Sequence, residues 1–202
     1  MILVQDNFLS NPYELRNIAV KSHYEISDDG RWPGCRTDAP KSVGDYFIEQ
    51  VEYLTQDAPL YPYDGKEGRA TFQSITQEYK EGLFHCDDGI KYTCIVFLSL
   101  DPPSNSGTEV TDQWDMHTIE QKSIDAYTFA KRSFYSNTKS WLNRYRYDRM
   151  VKAHNSNYVP VLKVPNKFNR MVLFDGERAH RAQNFFGSNI HDSRLTLITF
   201  LK

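Results

Sequence analysis

The chain has 202 residues, enough for one domain, and 14% aromatic residues, a composition that excludes disorder. Its 24 Lys and Arg against 26 Asp and Glu give a formal net charge of −2, which excludes a polybasic nucleic-acid binder and an acidic tail. Three cysteines without a C-x-x-C pair (Cys35, Cys86, Cys94) exclude a disulfide framework and a Cys-based zinc site.

The first element predicted is a helix. Asn11 stands at its N-cap, Pro12 at N1 and Glu14 at N3, with Leu15, Ile18 and Ala19 at helical spacing and an Asp28-Asp29-Gly30 turn beyond. A second helix is expected over about 40–54, with Val43, Phe47, Val51 and Leu54 as its apolar stripe. Strands follow at 71–77 and 92–100. The latter is an almost unbroken apolar run, as in a strand covered on both faces, and the 101–107 Pro/Ser/Gly segment ends it. Residues from about 119 to 150 read as helical, with a break at 136–138. Strand patterns return at 159–164, 170–174, around His180 and at 194–201, with a turn at Asp175-Gly176. The order predicts a mainly β fold, a sandwich or barrel carrying helices on one side. No leader is visible in residues 1–6, and the run near 95–100 is far short of the roughly 20 residues of a membrane helix, so no membrane and a cytoplasmic setting are expected.

The chemistry concentrates around Gly82-Leu-Phe-His85-Cys-Asp87. On extended backbone the period of two turns His85 and Asp87 to one face and Cys86 away. An imidazole and a carboxylate are two members of a facial triad, a donor set that suits non-haem Fe(II). Alone the pair is weak, because six His and 16 Asp give about half a chance match. Asp88 is the minority alternative, pointing the other way. His180 follows an apolar strand and a tight turn able to return the chain opposite the pair. In the last strand Arg194 and Thr196 share a face, and an Arg among apolar residues is costly unless it meets an anion.

The order His85-x-Asp87, His180, Arg194-x-Thr196 resembles the Fe(II)/2-oxoglutarate-dependent dioxygenase superfamily, in particular its small prolyl-4-hydroxylase-like members. Supporting stretches are Asp6-Asn-Phe-Leu-Ser-Asn-Pro12, Tyr79-Lys-Glu-Gly82, the 93–99 strand with Ser106-Gly-Thr-Glu109, and Phe168 to Gly176. The sequence departs from the family in a longer gap between His180 and Arg194, in Thr196 where Ser is commoner, and in a shorter lead-in to His85. The resemblance implies one domain over 1–202. Its core would be a double-stranded β-helix (jelly-roll, cupin-like) with N-terminal helices and a mostly helical insertion at about 112–155. It also implies Fe(II) on His85, Asp87 and His180, and 2-oxoglutarate held by Arg194 with Thr196 and assisted by Tyr79 or Tyr92. Arg178 and Arg181 compete with Arg194 for its role. With O2, such an enzyme hydroxylates an amino-acid side chain or small metabolite, releasing succinate and CO2, so the expected partner is a small-molecule or peptide substrate.

Other features read two ways. Trp32 and Arg36 either border a substrate opening or pack onto the barrel. Cys86 reads as a small apolar side chain, and His23, His117, His154 and His191 as structural or exposed. The insertion is basic, with Arg144, Arg146 and Arg149 among aromatics, which reads first as a solvated helix capping the barrel. Phe200 stands where the superfamily's nucleic-acid repair members carry a second Arg, which weighs against nucleic acid. The competing class is an inactive β-helix module whose basic insertion engages an acidic partner. A cupin-type isomerase or zinc hydrolase lacks its His-x-His pair and an activating Glu.

Overall fold

In β5 (Tyr92–Phe97) all six residues are buried, because the strand is sandwiched in the way its unbroken apolar run predicts. The structure, a computed structural model, describes residues 1–27, 30–63, 69–112 and 121–202, with the backbone alone at 121–126. Asp28, Asp29, His117 and the first residues of the expected insertion lie outside the described residues.

Among the described residues ten strands form two antiparallel sheets. The larger contains β1 (Ile2–Gln5), β2 (Glu25–Ile26), β3 (Cys35–Asp38), β4 (Thr71–Ile75), β5, β8 (Met171–Asp175) and β10 (Arg194–Leu201), in the order β1-β8-β5-β10-β4-β3-β2. The smaller has the order β7-β6-β9, from β6 (Gly107–Val110), β7 (Leu162–Pro165) and β9 (His180–Ala182). Residues 81–85 run along the free edge of β9 through bridges Glu81↔Asn184 and His85↔His180. This is the double-stranded β-helix that the resemblance implies, a closer description than the sandwich or barrel read from the residues alone.

Alternation along each strand divides the core. Leu195, Leu197, Cys94 and Val96 face outward, onto Leu15 and Ala19 of α1 (Pro12–Lys21) and Phe47 and Val51 of α2 (Lys41–Thr55). Ile198, Ile95, Phe97, Val172 and Phe174 face inward, toward Val110 and Val164 of the small sheet. The remaining helices, α3 (Gln121–Ser136) and α4 (Trp141–Asn155), break where expected. Ser140 caps α4 by accepting from the Asn143 amide at 3.3 Å. They build their own cluster of Phe134, Tyr135, Tyr147, Val151 and Leu83. Helices therefore lie on two sides of the β-helix rather than one.

Several boundaries differ from the sequence expectation for local reasons. Asn11 precedes α1, but its side chain makes no capping bond and only its carbonyl accepts from the Leu15 amide. β4 stops at Ile75 because the chain enters a 3-10 turn, Gln77–Tyr79. β7 begins two residues after Pro160, which has no N–H to donate to a ladder. Asp175-Gly176 joins strands of different sheets, so it is a corner and not a hairpin. That corner carries His180 across from the large sheet to the small one.

Candidate active site

Two backbone hydrogen bonds fix the first pair of site residues. The His85 amide donates to the His180 carbonyl at 3.0 Å and the His180 amide donates back at 2.9 Å, setting the imidazoles side by side with ring centroids 4.5 Å apart. Extended backbone beyond His85 brings Asp87 to the same face, where its amide donates to the Gly176 carbonyl at 2.8 Å. The Asp87 carboxylate then lies 3.7 Å from His85 Nε2 and 3.3 Å from His180 Nε2.

The outer contacts assign the tautomers. His85 Nδ1 meets the Leu83 carbonyl at 2.9 Å and His180 Nδ1 meets the Arg178 carbonyl at 2.8 Å. A carbonyl only accepts, so each Nδ1 carries the proton and each Nε2 presents a lone pair toward Asp87. One ligand atom from each of the three residues falls within 4.8 Å of the others. Mixed nitrogen and oxygen donors with oriented imidazoles fit a divalent first-row metal with open coordination positions. Burial disfavours charge on Asp87, yet the two imidazoles when protonated and the Thr93 hydroxyl, which donates to Oδ2 at 2.6 Å, favour it and hold its carboxyl well below the usual range. The His85 side chain is half exposed, yet desolvation by the protein atoms packed around it, with His180 alongside, pushes its pKa down to about 4.

The triad lies in a cavity of about 360 Å³ between the sheets. Arg194 forms part of the wall from the inner face of β10. Its guanidinium lies over the Phe97 ring at 5.5 Å and donates to the Thr108 hydroxyl of β6 at 3.4 Å. Its Nε is buried without a partner, no carboxylate among the described residues meets it, and burial lowers its pKa to about 10. The competing arginines are otherwise engaged: Arg178 pairs with Asp175, and Arg181 with Glu81 and Glu109 at 2.5 and 2.6 Å.

Other expected site residues are not brought to the cavity. Tyr92 falls on the outward face of β5, since Thr93, Ile95 and Phe97 take the inner one, and its hydroxyl donates to Asp57 at 3.0 Å. Tyr79 sits on the 3-10 turn with its ring edge-on to Tyr135 at 5.6 Å, captured by the helical insertion. Thr196 shares the inner face with Arg194, but its hydroxyl donates to the Gln73 carbonyl at 3.4 Å and does not line the cavity. Asp88 is exposed and outside the triad. Cys86 packs by Phe84, Tyr158 and Ala179.

The structure adds wall residues that sequence reasoning left out or left open. Thr93 is one, and a hydroxyl at an alternate position within an apolar strand was its only signal. Trp32 and Arg36 line the mouth, with the Arg36 guanidinium over the Trp32 ring at 4.9 Å. Lys131 and Tyr127 of α3 and the buried His154 of α4 line it too, whereas Arg144, Arg146 and Arg149 are exposed and outside it. Gly30, at φ +65°, lays the mouth loop against α3 so closely that a Cβ would stand 2.4 Å from the Arg132 carbonyl oxygen.

Solved structures share this architecture. The non-heme alpha ketoglutarate dependent epimerase SnoN of nogalamycin biosynthesis is 10% identical, with a TM-score of 0.57 over 100% of this chain and 77% of that one. HygX from Streptomyces hygroscopicus, solved with nickel and 2-oxoglutarate bound, is 12% identical, with a TM-score of 0.56 over 98% and 82%. A Pseudomonas putida prolyl-4-hydroxylase is 10% identical, with a TM-score of 0.50 over 100% and 91%. At such identities the likeness is one of fold, the double-stranded β-helix of 2-oxoglutarate-dependent oxygenases. No curated protein matches the sequence. Residues 1–201 match the model of a family of unknown function, DUF6445, and the chain belongs to that family.

Proposed function

We propose that this protein is an Fe(II)- and 2-oxoglutarate-dependent oxygenase that hydroxylates a small metabolite or an amino-acid side chain, releasing succinate and CO2. The observation that carries the reading is the pairing, in one cavity, of the His85, Asp87 and His180 donor set with an Arg194 that meets no carboxylate among the described residues. In this reading the three residues hold Fe(II), and Arg194 receives the distal carboxylate of 2-oxoglutarate through its planar fork. Fe(II), when bound with 2-oxoglutarate and O2, supplies the oxidising chemistry. The chain's own work is positional. The Leu83 and Arg178 carbonyls keep both imidazoles turned with Nε2 inward, Thr93 fixes the carboxylate, and Thr108 and Phe97 hold Arg194 in place. The insertion helices belong to the same unit and close one side of the cavity.

Anaerobic titration of the metal-free protein with Fe(II) and 2-oxoglutarate tests this. A visible charge-transfer band is expected, with the apparent 2-oxoglutarate affinity about 10-fold or more weaker in Arg194→Ala. A folded wild-type protein that gives no band overturns the reading.

A further inference from the structure

Among the described residues, Arg36, Lys131 and Arg194 line the cavity without a carboxylate partner, and Asp87 is the one carboxylate on its wall. Asp87 is already shared by two imidazoles, and a divalent metal there adds positive charge. Arg194 accounts for a single anion, the cosubstrate's. The cavity therefore keeps an excess of positive charge after its expected contents are in place.

Arg36 carries part of that excess on the cavity wall. It extends from the inner face of β3, in register with Gln73 of β4 and, through it, Thr196 of β10. Its Nε is buried without a hydrogen-bond partner, and no carboxylate among the described residues pairs with it. The Trp32 face beneath it returns only part of what burying a guanidinium costs. Asp87 acts electrostatically on Arg36, and Lys131 on His85, and all four line the one cavity.

Arg36 and Arg194 are separate receptors. Their backbones lie two strands and two residues apart, which at ~4.8 Å per strand and ~3.4 Å per residue is roughly 12 Å. Arg194 turns toward β5 and β6, onto Phe97 and Thr108, whereas Arg36 turns toward the mouth loop and Trp32. One small carboxylate does not serve both.

We infer that Arg36, with Lys131 elsewhere on the same cavity wall, receives an anionic group of the oxidised substrate, a carboxylate or a phosphate monoester, so that the substrate is a small organic anion. A cavity of about 360 Å³ suits such a molecule and is near the small end for ligand sites. The apolar remainder would lie along Trp32, Phe185 and Phe200, which share the wall. This inference rests on the oxygenase reading for the role of the bound anion, but not for its existence.

The test is calorimetric titration of the full chain, loaded anaerobically with Fe(II) and saturating 2-oxoglutarate, with benzoate, phenyl phosphate and neutral benzyl alcohol. At least one anion is expected to bind about 10-fold or more tightly than the alcohol, and the better of the two identifies the carboxylate or phosphate. Arg36→Ala is expected to weaken that anion about 10-fold or more, Arg36→Lys to fall between and to report on folding, and Lys131→Met to lose less. Neither anion binding the wild type, equal binding of the alcohol, or undiminished binding in Arg36→Ala overturns the inference. So does a loss of 2-oxoglutarate affinity in Arg36→Ala that Arg194→Ala does not share. If the wild type gives no charge-transfer band, the oxygenase reading falls by itself. The same titrations on metal-free protein then decide the anion site, Arg36-dependent binding upholding it and Arg36-independent binding overturning it.

Discussion

The two faces of the small sheet treat arginine in opposite ways. On the side turned from the cavity, Arg181 of β9 meets Glu109 of β6 and Glu81, while Lys163 and Gln183 complete the coordination of Glu109. On the inner side, Arg194 reaches across to Thr108 of β6 and finds one hydroxyl and a phenyl ring. Thr108 and Glu109 are adjacent in sequence, so a single pleat separates a closed network from an open one. The closed network holds β9, and with it His180, in place. The open one carries a desolvation cost that an incoming anion relieves.

The largest effect belongs to the inner set. Asp87→Ala is expected to lower Fe(II) affinity at least about 100-fold in anaerobic titrations while far-UV circular dichroism stays unchanged, since it removes the sole carboxylate of the donor set. Retained affinity would remove Asp87 from the site. The comparison itself is tested by two identical substitutions with opposite outcomes. Arg181→Met leaves Glu81 and Glu109 short of a partner, and is expected to cost about 2 kcal/mol, or a Tm lower by roughly 4–8 °C. Arg194→Met, in protein without ligand, is expected to leave Tm unchanged or raise it, because it removes a buried charge that no acid among the described residues answers. A comparable loss of stability in both would erase the distinction. The smallest effect is at Thr93→Val, where losing the hydrogen bond to Asp87 Oδ2 is expected to weaken Fe(II) about 10-fold with little change in Tm.

Much of this arrangement is legible one residue at a time. Period-two alternation puts His85 with Asp87 and Arg194 with Thr196, and the apolar stripes of α1 and α2 announce a sheet to cover. What stays hidden depends on register and on turns. Tyr92 reads as a polar contact near the site, but parity on β5 turns it outward, and only the pairing of β5 with β10 decides which parity faces in. Tyr79 is misplaced because the strand before it ends two residues early, at Ile75, and a helical insertion far along the chain captures its ring. Arg36 carries no local signal beyond its neighbour Trp32. Its place in the cavity follows from β3 joining β4, a pairing between residues 35–38 and 71–74 that no short motif records.

The contact of Gly30 with the backbone of Arg132 has a consequence for how such a protein diversifies. At that point the mouth loop and α3 meet backbone to backbone, so their spacing there is set by main chain on one side and a residue without a side chain on the other. Substitutions at Trp32 or Arg36 change the wall of the mouth without altering that spacing. A single methyl at position 30 does the reverse, prising loop and helix apart without touching a bound molecule. In a lineage selected for bulkier molecules, that position is the smallest hinge of change.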